Sequence, residues 1–258
     1  MDLSSFWFQL KQAFFVPTCV LCGRVFRAEA RFPDLCSLCE TRLPIRRLDC
    51  LRDFLPLMGG TSQSTISFND NPYAFFPVII ACDYLHPLPQ LVRSLKFHGG
   101  IETTRLMAAL MSHALNEYLF SLHTGRLACR NYDRLHFDAI VAMPIHASRA
   151  RERSYNQSQE IVQHLAHLLA LEDLSIAISR TRATERQSEL ANRNQRYLNV
   201  QNCFRADPEL LRDRHVILVD DVMTSGLTLA SAAKSLYLAS AATVTGLVLA
   251  SNYRAEAA

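Results

Sequence analysis

Residues 216–228 read Val-Ile-Leu-Val-Asp-Asp-Val-Met-Thr-Ser-Gly-Leu-Thr, and the order of residue types along this run is that of a ligand site. Val216, Ile217, Leu218 and Val219 form a short apolar run, which predicts a buried parallel strand. Two carboxylates, Asp220 and Asp221, come next. Val222 and Met223 lead into a small-residue turn, Thr224, Ser225 and Gly226, followed by Leu227 and Thr228. Leu229, Ala232, Ala233 and Leu236 then recur at helical spacing. Backbone N–H groups in a loop beside a helix N-terminus make an anion site, and the hydroxyls of Thr224, Ser225 and Thr228 add donors. The carboxylates would repel the same anion. They suit neutral hydroxyls, such as a ribose diol, or a nearby Mg2+, so one loop offers a phosphate grip and a diol grip side by side. An ordinary strand-to-helix turn with an acidic N-cap accounts for the acidic pair alone but not for the whole run.

The run resembles the loop that binds phosphoribosyl pyrophosphate (PRPP) in type I phosphoribosyltransferases. That pattern is a hydrophobic strand, an acidic pair, a few residues, then Thr-Thr/Ser-Gly-x-Thr. The resemblance implies PRPP contacts from Asp220, Asp221, Val222, Met223, Thr224, Ser225, Gly226, Leu227 and Thr228, with Asp220 and Asp221 as the catalytic pair.

A second chemistry lies near the N-terminus. Cys19-x-x-Cys22 and Cys36-x-x-Cys39 are paired knuckles that bring four thiolates into one tetrahedron, the geometry of a closed structural zinc site. Pro17 and Gly23 suit a tight turn around the first pair. The competing reading is a disulfide or redox pair, which a reducing compartment disfavours. In so small a module metal binding is folding, so loss of a thiolate is expected to melt this unit and spare the rest. Cys50, Cys82, Cys129 and Cys203 show no metal spacing and read as buried or idle thiols.

The chain has 258 residues, enough for one ordinary domain plus a small one; with 49% hydrophobic and 20% charged residues it can build a core. A formal net charge of +3 is too weak to require a nucleic-acid partner and is compatible with an anionic substrate. Of the 27 basic residues only Lys11, Lys96 and Lys234 are Lys. Arg suits bidentate phosphate contacts, although genome composition would produce the same bias. Residues 1–16 carry Phe6, Trp7, Phe8, Phe14 and Phe15 but not the basic start and uninterrupted apolar run of a signal peptide or membrane span. They read as an amphipathic helix packed on the protein, with a peripheral membrane contact as the other reading. The expected location is cytoplasmic, with no transmembrane segment.

The elements that must position these groups follow from periodicity. Residues 1–58 form the N-terminal helix and zinc knuckle, 59–77 a connector rich in Gly, Ser, Asn and Pro, and 78–258 an α/β domain. Strands are predicted at 78–83, 139–142, 174–178, 216–219 and 243–250, and helices at 88–96, 104–122, 157–169 and 228–239. This alternation argues for a parallel sheet flanked by helices, with ligands at the carboxyl ends of the strands. Strand 139–142 ends in Met143, Pro144, Ile145 and His146, followed by Arg149, Arg151 and Arg153 and a helix opening at Tyr155, Asn156 and Gln157, a combination able to hold pyrophosphate. A solvated basic loop is the alternative. Residues 180–196 carry Arg182, Arg186, Gln187, Arg193 and Asn194 without an apolar stripe, as in a flap over a substrate or an Arg-rich surface for nucleic acid.

Taken together, these residues resemble the ComF family, which includes the GntX-like proteins. The likeness runs through the four-Cys knuckle, Arg93-Ser-Leu-Lys96-Phe-His-Gly, Pro144-Ile-His, Arg153-Ser-Tyr-Asn156-Gln157, Arg182, Gln187, Arg193-Asn194 and the 220–228 run. Ser154 and Tyr155 stand where the family has Gly and Phe. The resemblance implies a type I phosphoribosyltransferase fold with an N-terminal zinc knuckle and a link to DNA uptake in natural transformation. It also implies PRPP contacts from Lys96, Met143, Pro144, Ile145 and Arg153, with Mg2+ accompanying PRPP, and it names no acceptor. The enzymatic reading is phosphoribosyl transfer. The alternative is a non-catalytic PRPP- or nucleotide-binding module that also binds single-stranded DNA.

Overall fold

The computed structural model describes residues 17–26, 31–46, 52–56, 75–98, 100–124, 136–146, 151, 155–182 and 202–252, with the backbone alone at 52–56, 75, 96–98 and 101. In chain order the elements are α1 (Ser37–Glu40), β1 (Arg52–Pro56), β2 (Phe75–Asp83), α2 (Leu88–His98), α3 (Ile101–His123), β3 (Ala139–Ala142), α4 (Gln157–Leu169) and β4 (Glu172–Asp173). A 3-10 turn (Ser175–Ala177) follows, then β5 (Ile178–Arg180), β6 (Phe204–Ala206), α5 (Pro208–Leu211), β7 (His215–Met223), α6 (Leu227–Leu238) and β8 (Thr243–Ser251). The main sheet has the order β1-β2-β8-β7-β3-β4. Its last five strands are parallel, and β1 closes one edge antiparallel to β2. The expected α/β class with a parallel sheet flanked by helices is the observed one.

The apolar runs are buried on both faces because successive side chains in a strand point to opposite sides. Ile79, Ile140, Ile217 and Leu247 face a layer built from α2, α3 and α4, including Leu91, Met111 and Leu165. Their neighbours Val78, Val141, Leu218 and Val248 face α6 through Leu229, Ala233 and Leu236. Gly246 lets α6 approach closely, since a Cβ there would lie 3.1 Å from both Leu229 and Val78.

Four features depart from the sequence reading. The strand predicted at 216–219 continues to Met223, because β8 runs on to Ser251 and supplies ladder partners for Asp220 and Val222. The strand predicted at 174–178 is instead β4 at 172–173, a 3-10 turn and the start of β5. Asp173 Oδ1 accepts the Ser175 N–H at 2.9 Å, and Ser175 Oγ accepts the Ala142 N–H at 2.9 Å, so side chains take over the backbone groups a longer strand would have paired. β5 leaves the main sheet and pairs antiparallel with β6. Finally, β2 begins at Phe75, inside the predicted 59–77 connector, and β1 lies inside the 1–58 segment. The predicted helix at 1–16 and most of the 180–196 cluster lie outside the described residues.

The cysteine unit is built into the domain. Cys19, Phe32, Leu35, Cys36, Cys39 and Leu43 belong to the same apolar core as Ile79, Met107, Met111 and Leu115. The chain leaving the unit runs beside β2: Arg46 N–H donates to the Ala81 carbonyl at 2.9 Å, Asp83 N–H to the Pro44 carbonyl at 2.8 Å, and Arg46 Nε pairs with Asp83 Oδ1 at 2.9 Å. On the helix side, Arg105 of α3 pairs with Asp34 at 2.9 Å, Phe32 meets the His113 ring edge-on at 5.7 Å, and the Arg31 guanidinium lies 2.9 Å from His113 Nδ1. The expectation that this unit melts alone is therefore replaced: its core and the sheet's core are continuous.

His113 makes that junction pH-sensitive. Burial and the Arg31 charge hold its imidazole below the usual histidine range, against the pull of Glu117. A folded value below the unfolded one means the contribution is complete above the unfolded value of about 6.5. It is lost as pH falls from there through the folded value. Stability measured between pH 7 and pH 5 should therefore fall less steeply in His113→Gln than in the unaltered chain. Equal slopes would remove His113 from the account.

Candidate functional site

Two turns meet at the carboxyl end of the sheet because β3 and β7 are adjacent and in register, Ala142 opposite Val219. Met143 N–H then donates to the Val219 carbonyl at 2.8 Å, which sets the exit of β3 beside the acidic pair. Asp220 and Asp221 are half-buried in the last turn of the strand ladder. Asp220 Oδ1 accepts the Asp221 N–H at 3.0 Å and the Ser158 hydroxyl at 3.3 Å; Asp221 Oδ1 accepts the Val222 N–H at 2.7 Å. Each carboxylate is thus anchored by a neighbouring N–H.

Thr224 is exposed, Ser225 and Thr228 are half-buried, and Gly226 and Leu227 are buried. Gly226 has φ 72°, a left-handed conformation that glycine enters without the Cβ penalty. It is the N-cap of α6 and caps the helix with no side chain, so the N–H groups of the first turn point into the bend made by 224–226. The bend is held from behind by buried Ser251, whose hydroxyl donates to the Met223 carbonyl at 2.9 Å. The run 220–228 therefore presents carboxylates at one end and a helix N-terminus at the other.

On the facing side, Met143 is buried and Pro144, Ile145 and His146 are half-buried. Asn156 Nδ2 donates to the Met143 carbonyl at 3.0 Å while Asn156 Oδ1 accepts the Ser158 N–H and caps α4. Lys96 occupies the last turn of α2, and Arg153 lies outside the described residues. Arg182 follows β5 and donates to Cys203 Sγ at 3.4 Å. The sequence reading passed over Ser158 and Ser251. Single serines carry no pattern, and only the strand neighbours reveal what they hold.

The four thiols also meet as expected. The Sγ atoms of Cys19, Cys22, Cys36 and Cys39 all lie within 4.8 Å of one another. Cys22 Sγ and Cys36 Sγ are 3.8 Å apart. A zinc tetrahedron with Zn–S of about 2.3 Å has edges of about 3.8 Å, whereas a disulfide requires about 2.05 Å. Burial pushes the Cys19 thiol up, but N–H donors from Cys36, Cys22 and Leu21 outweigh it and bring the thiol down to about 6. Burial and the neighbouring thiols push Cys39 up to about 12. Four thiolates cannot share this space without a cation, and N–H donors aimed at sulfur steady the thiolates that hold a metal. The cluster fits a structural metal with no open position. Cys82 is buried apart from it, and burial pushes its thiol up to about 12, as suits an inert core residue.

Comparison with known proteins agrees with this arrangement. The phosphoribosyl transferase domain family matches residues 151–256, from ahead of α4 through β8. The protein thus combines a phosphoribosyl transferase domain with an N-terminal four-cysteine unit. The DNA utilization protein YhgH of Salmonella typhi is 33% identical over 81% of this chain and 87% of its own length. That of Escherichia coli K12 is 31% identical over 88% and 86%. Competence protein F of Haemophilus influenzae is 29% identical over 62% of this chain and 66% of its own. The chain belongs to this ComF family of phosphoribosyl transferase-domain proteins. No helix among the described residues is long and apolar enough to cross a membrane.

The shared core sets the effect of metal removal. Structural zinc supplies about 10–16 kcal/mol in small modules, comparable with the whole stability of a domain, about 5–15 kcal/mol. Purified protein should carry one zinc per chain by metal analysis. A strong chelator should lower the unfolding midpoint of the sheet itself, followed by far-UV circular dichroism. An unchanged midpoint in demonstrably metal-free protein would overturn this coupling.

Proposed function

We propose that the chain binds PRPP with Mg2+ across the two turns and transfers its phosphoribosyl group to an acceptor. The single observation that carries this reading is the acidic pair placed between the Gly226 helix N-terminus and the Met143 turn. In this reading the 5-phosphate sits on residues 224–228, where N–H groups and hydroxyls donate. Asp220 and Asp221 hold the ribose hydroxyls, and the turn at Met143, Pro144 and Ile145, with Lys96 and Arg153, receives the pyrophosphate. Mg2+, when bound with PRPP beside Asp220 and Asp221, would neutralise the charge of the pyrophosphate. The acceptor's lone pair forms the new bond at C1 while the C1–O bond breaks, and the departing pyrophosphate takes the electron pair. Positive charge develops on the sugar and negative charge on the leaving group, so catalysis rests on positioning and electrostatic support. The zinc reading of the cysteine unit and a cytoplasmic location complete the proposal.

The reading is tested by calorimetry with PRPP and Mg2+. Replacing both Asp220 and Asp221 by Asn should weaken binding while far-UV circular dichroism stays unchanged, since charge-assisted hydrogen bonds contribute about 1.5–3 kcal/mol each. Undiminished affinity in the folded double variant would refute it. Turnover is read separately, as pyrophosphate released in the presence of candidate acceptors.

The second reading is a non-catalytic PRPP- or nucleotide-binding module that also binds single-stranded DNA through the cysteine unit or the 180–196 cluster, and the name DNA utilization protein carried by a relative points toward DNA. Replacing Arg182, Arg186 and Arg193 separates two roles for that cluster. If it serves DNA, the log–log salt dependence of DNA binding should flatten by about 0.7 for each phosphate that the variant no longer neutralises, with PRPP affinity intact. If it is a flap, PRPP binding should suffer and DNA binding persist. An effect on neither assigns the cluster to solvent.

A further inference from the structure

Three of the four consecutive residues 155–158 touch three separate elements of the site. The Tyr155 hydroxyl donates to the carbonyl of Leu95, the residue before Lys96 at the end of α2. Asn156 Nδ2 donates to the carbonyl of Met143 at 3.0 Å, and its Oδ1 accepts the Ser158 N–H at 3.2 Å. Ser158 Oγ donates to Asp220 Oδ1 at 3.3 Å. A continuous set of side-chain bonds therefore runs from the end of α2, through the exit of β3, to the acidic pair on β7.

We infer that residues 155–158 are a positioning strap that fixes the separation between the carboxylate end of the site and the Met143 turn. The inference rests on the phosphoribosyl reading above and assigns the strap a part in it. PRPP would span both places at once, with its ribose on one and its pyrophosphate on the other. An error in their spacing costs affinity at both. The parallel pairing of β3 and β7 aligns the two backbones but leaves the rotation of the Asp220 side chain open. Two donors on one oxygen, the Asp221 N–H and the Ser158 hydroxyl, set that rotation. Residue type supports the assignment. Asn and Ser at a helix start normally bond their own backbone. Asn156 does so with one atom and reaches Met143 with the other. Ser158, 4% exposed, sends its hydroxyl to a different element 62 positions away in sequence. Tyr155, where the family has Phe, adds a hydroxyl tie to α2 that a Phe could not make.

A capping role alone would also preserve the fold, so the test must show that Ser158 acts through Asp220. PRPP with Mg2+ is titrated calorimetrically into the unaltered chain, Ser158→Ala, Asp220→Asn and the double variant. Ser158→Ala should weaken binding by about tenfold in the unaltered background, as for removal of a hydrogen bond to a charged group. In the Asp220→Asn background the same change should cost less than about twofold, the non-additivity expected of residues in one network. Ser158→Cys, near in size with a weaker donor, should fall between, and it carries the same cycle if Ser158→Ala does not fold. Equal effects in both backgrounds overturn the strap and leave the ligand assignment standing. An unaltered, folded chain that does not bind PRPP overturns the ligand assignment and the strap with it.

Discussion

The register between β3 and β7 is the constraint on which the site depends. Parallel strands in one sheet end on the same side, and here Ala142 is opposite Val219 with the next N–H, that of Met143, bonded back to Val219. A slip of one residue would carry the acidic pair away from the Met143 turn and exchange the layers that one strand's side chains face. Both runs are apolar on both faces, so packing of particular side chains, Ile140 and Ile217 in one layer and Val141 and Leu218 in the other, holds the register. The placement of polar groups beyond those runs is inherited from it. The acidic pair begins one residue after Val219 and the Met143 turn one residue after Ala142, so the strand pairing brings the two together.

The two ends of the sheet are built differently. At the amino end, Asp138 accepts the His215 N–H at 2.8 Å and pairs with His136 at 3.0 Å, while the His215 ring meets Thr243 Oγ1 at 2.9 Å. Side chains there bond to one another and close the edge. The His215 N–H, then burial working against it, then His136 and the His215 ring hold the Asp138 carboxyl below its usual range, as expected for a carboxylate serving a structural bond. At the carboxyl end, Ser175, Ser251 and Asn156 bond mainly to backbone groups of the strand exits. They fix the turns while helix termini and carboxylates remain the chemistry of the surface. Ligands of open parallel sheets lie at strand carboxyl ends, which is where these turns and carboxylates stand.

Much of this is legible in the sequence wherever an apolar period is long or a spacing is redundant. The strand at 139–142, the apolar stretch 216–219 of β7, the helix over 157–169 and the four-cysteine cluster all follow from pattern. The pattern fails where polar atoms decide. Asp220 and Asp221 look like loop residues, yet the ladder carries them because β8 continues beside them. Residues 174–178 look like a strand, yet the hydroxyl of Ser175 takes the Ala142 N–H that a paired strand would have used. The short pairing of β5 with β6 joins segments more than 20 residues apart and has too few apolar residues to announce itself. Nor could spacing show that Phe32 and Leu35 enter the core of the sheet, since a knuckle folded around its own metal has the same cysteines.

The shared core makes the cysteine unit part of the domain. A metal knuckle that only decorates a domain would share no core with it and would need no ion pairs to the domain's helices. Here Asp34 and Arg105, Phe32 and His113, and Arg46 and Asp83 tie the unit to α3 and to β2. Asp83 is opposite Ser251 on β8, and Ser251 in turn holds the Met223 carbonyl at the start of the Thr224 turn. From Asp83 onward each step is a strand pairing or a hydrogen bond within one sheet. The cysteine unit is thus connected to the same strand ends that form the candidate site.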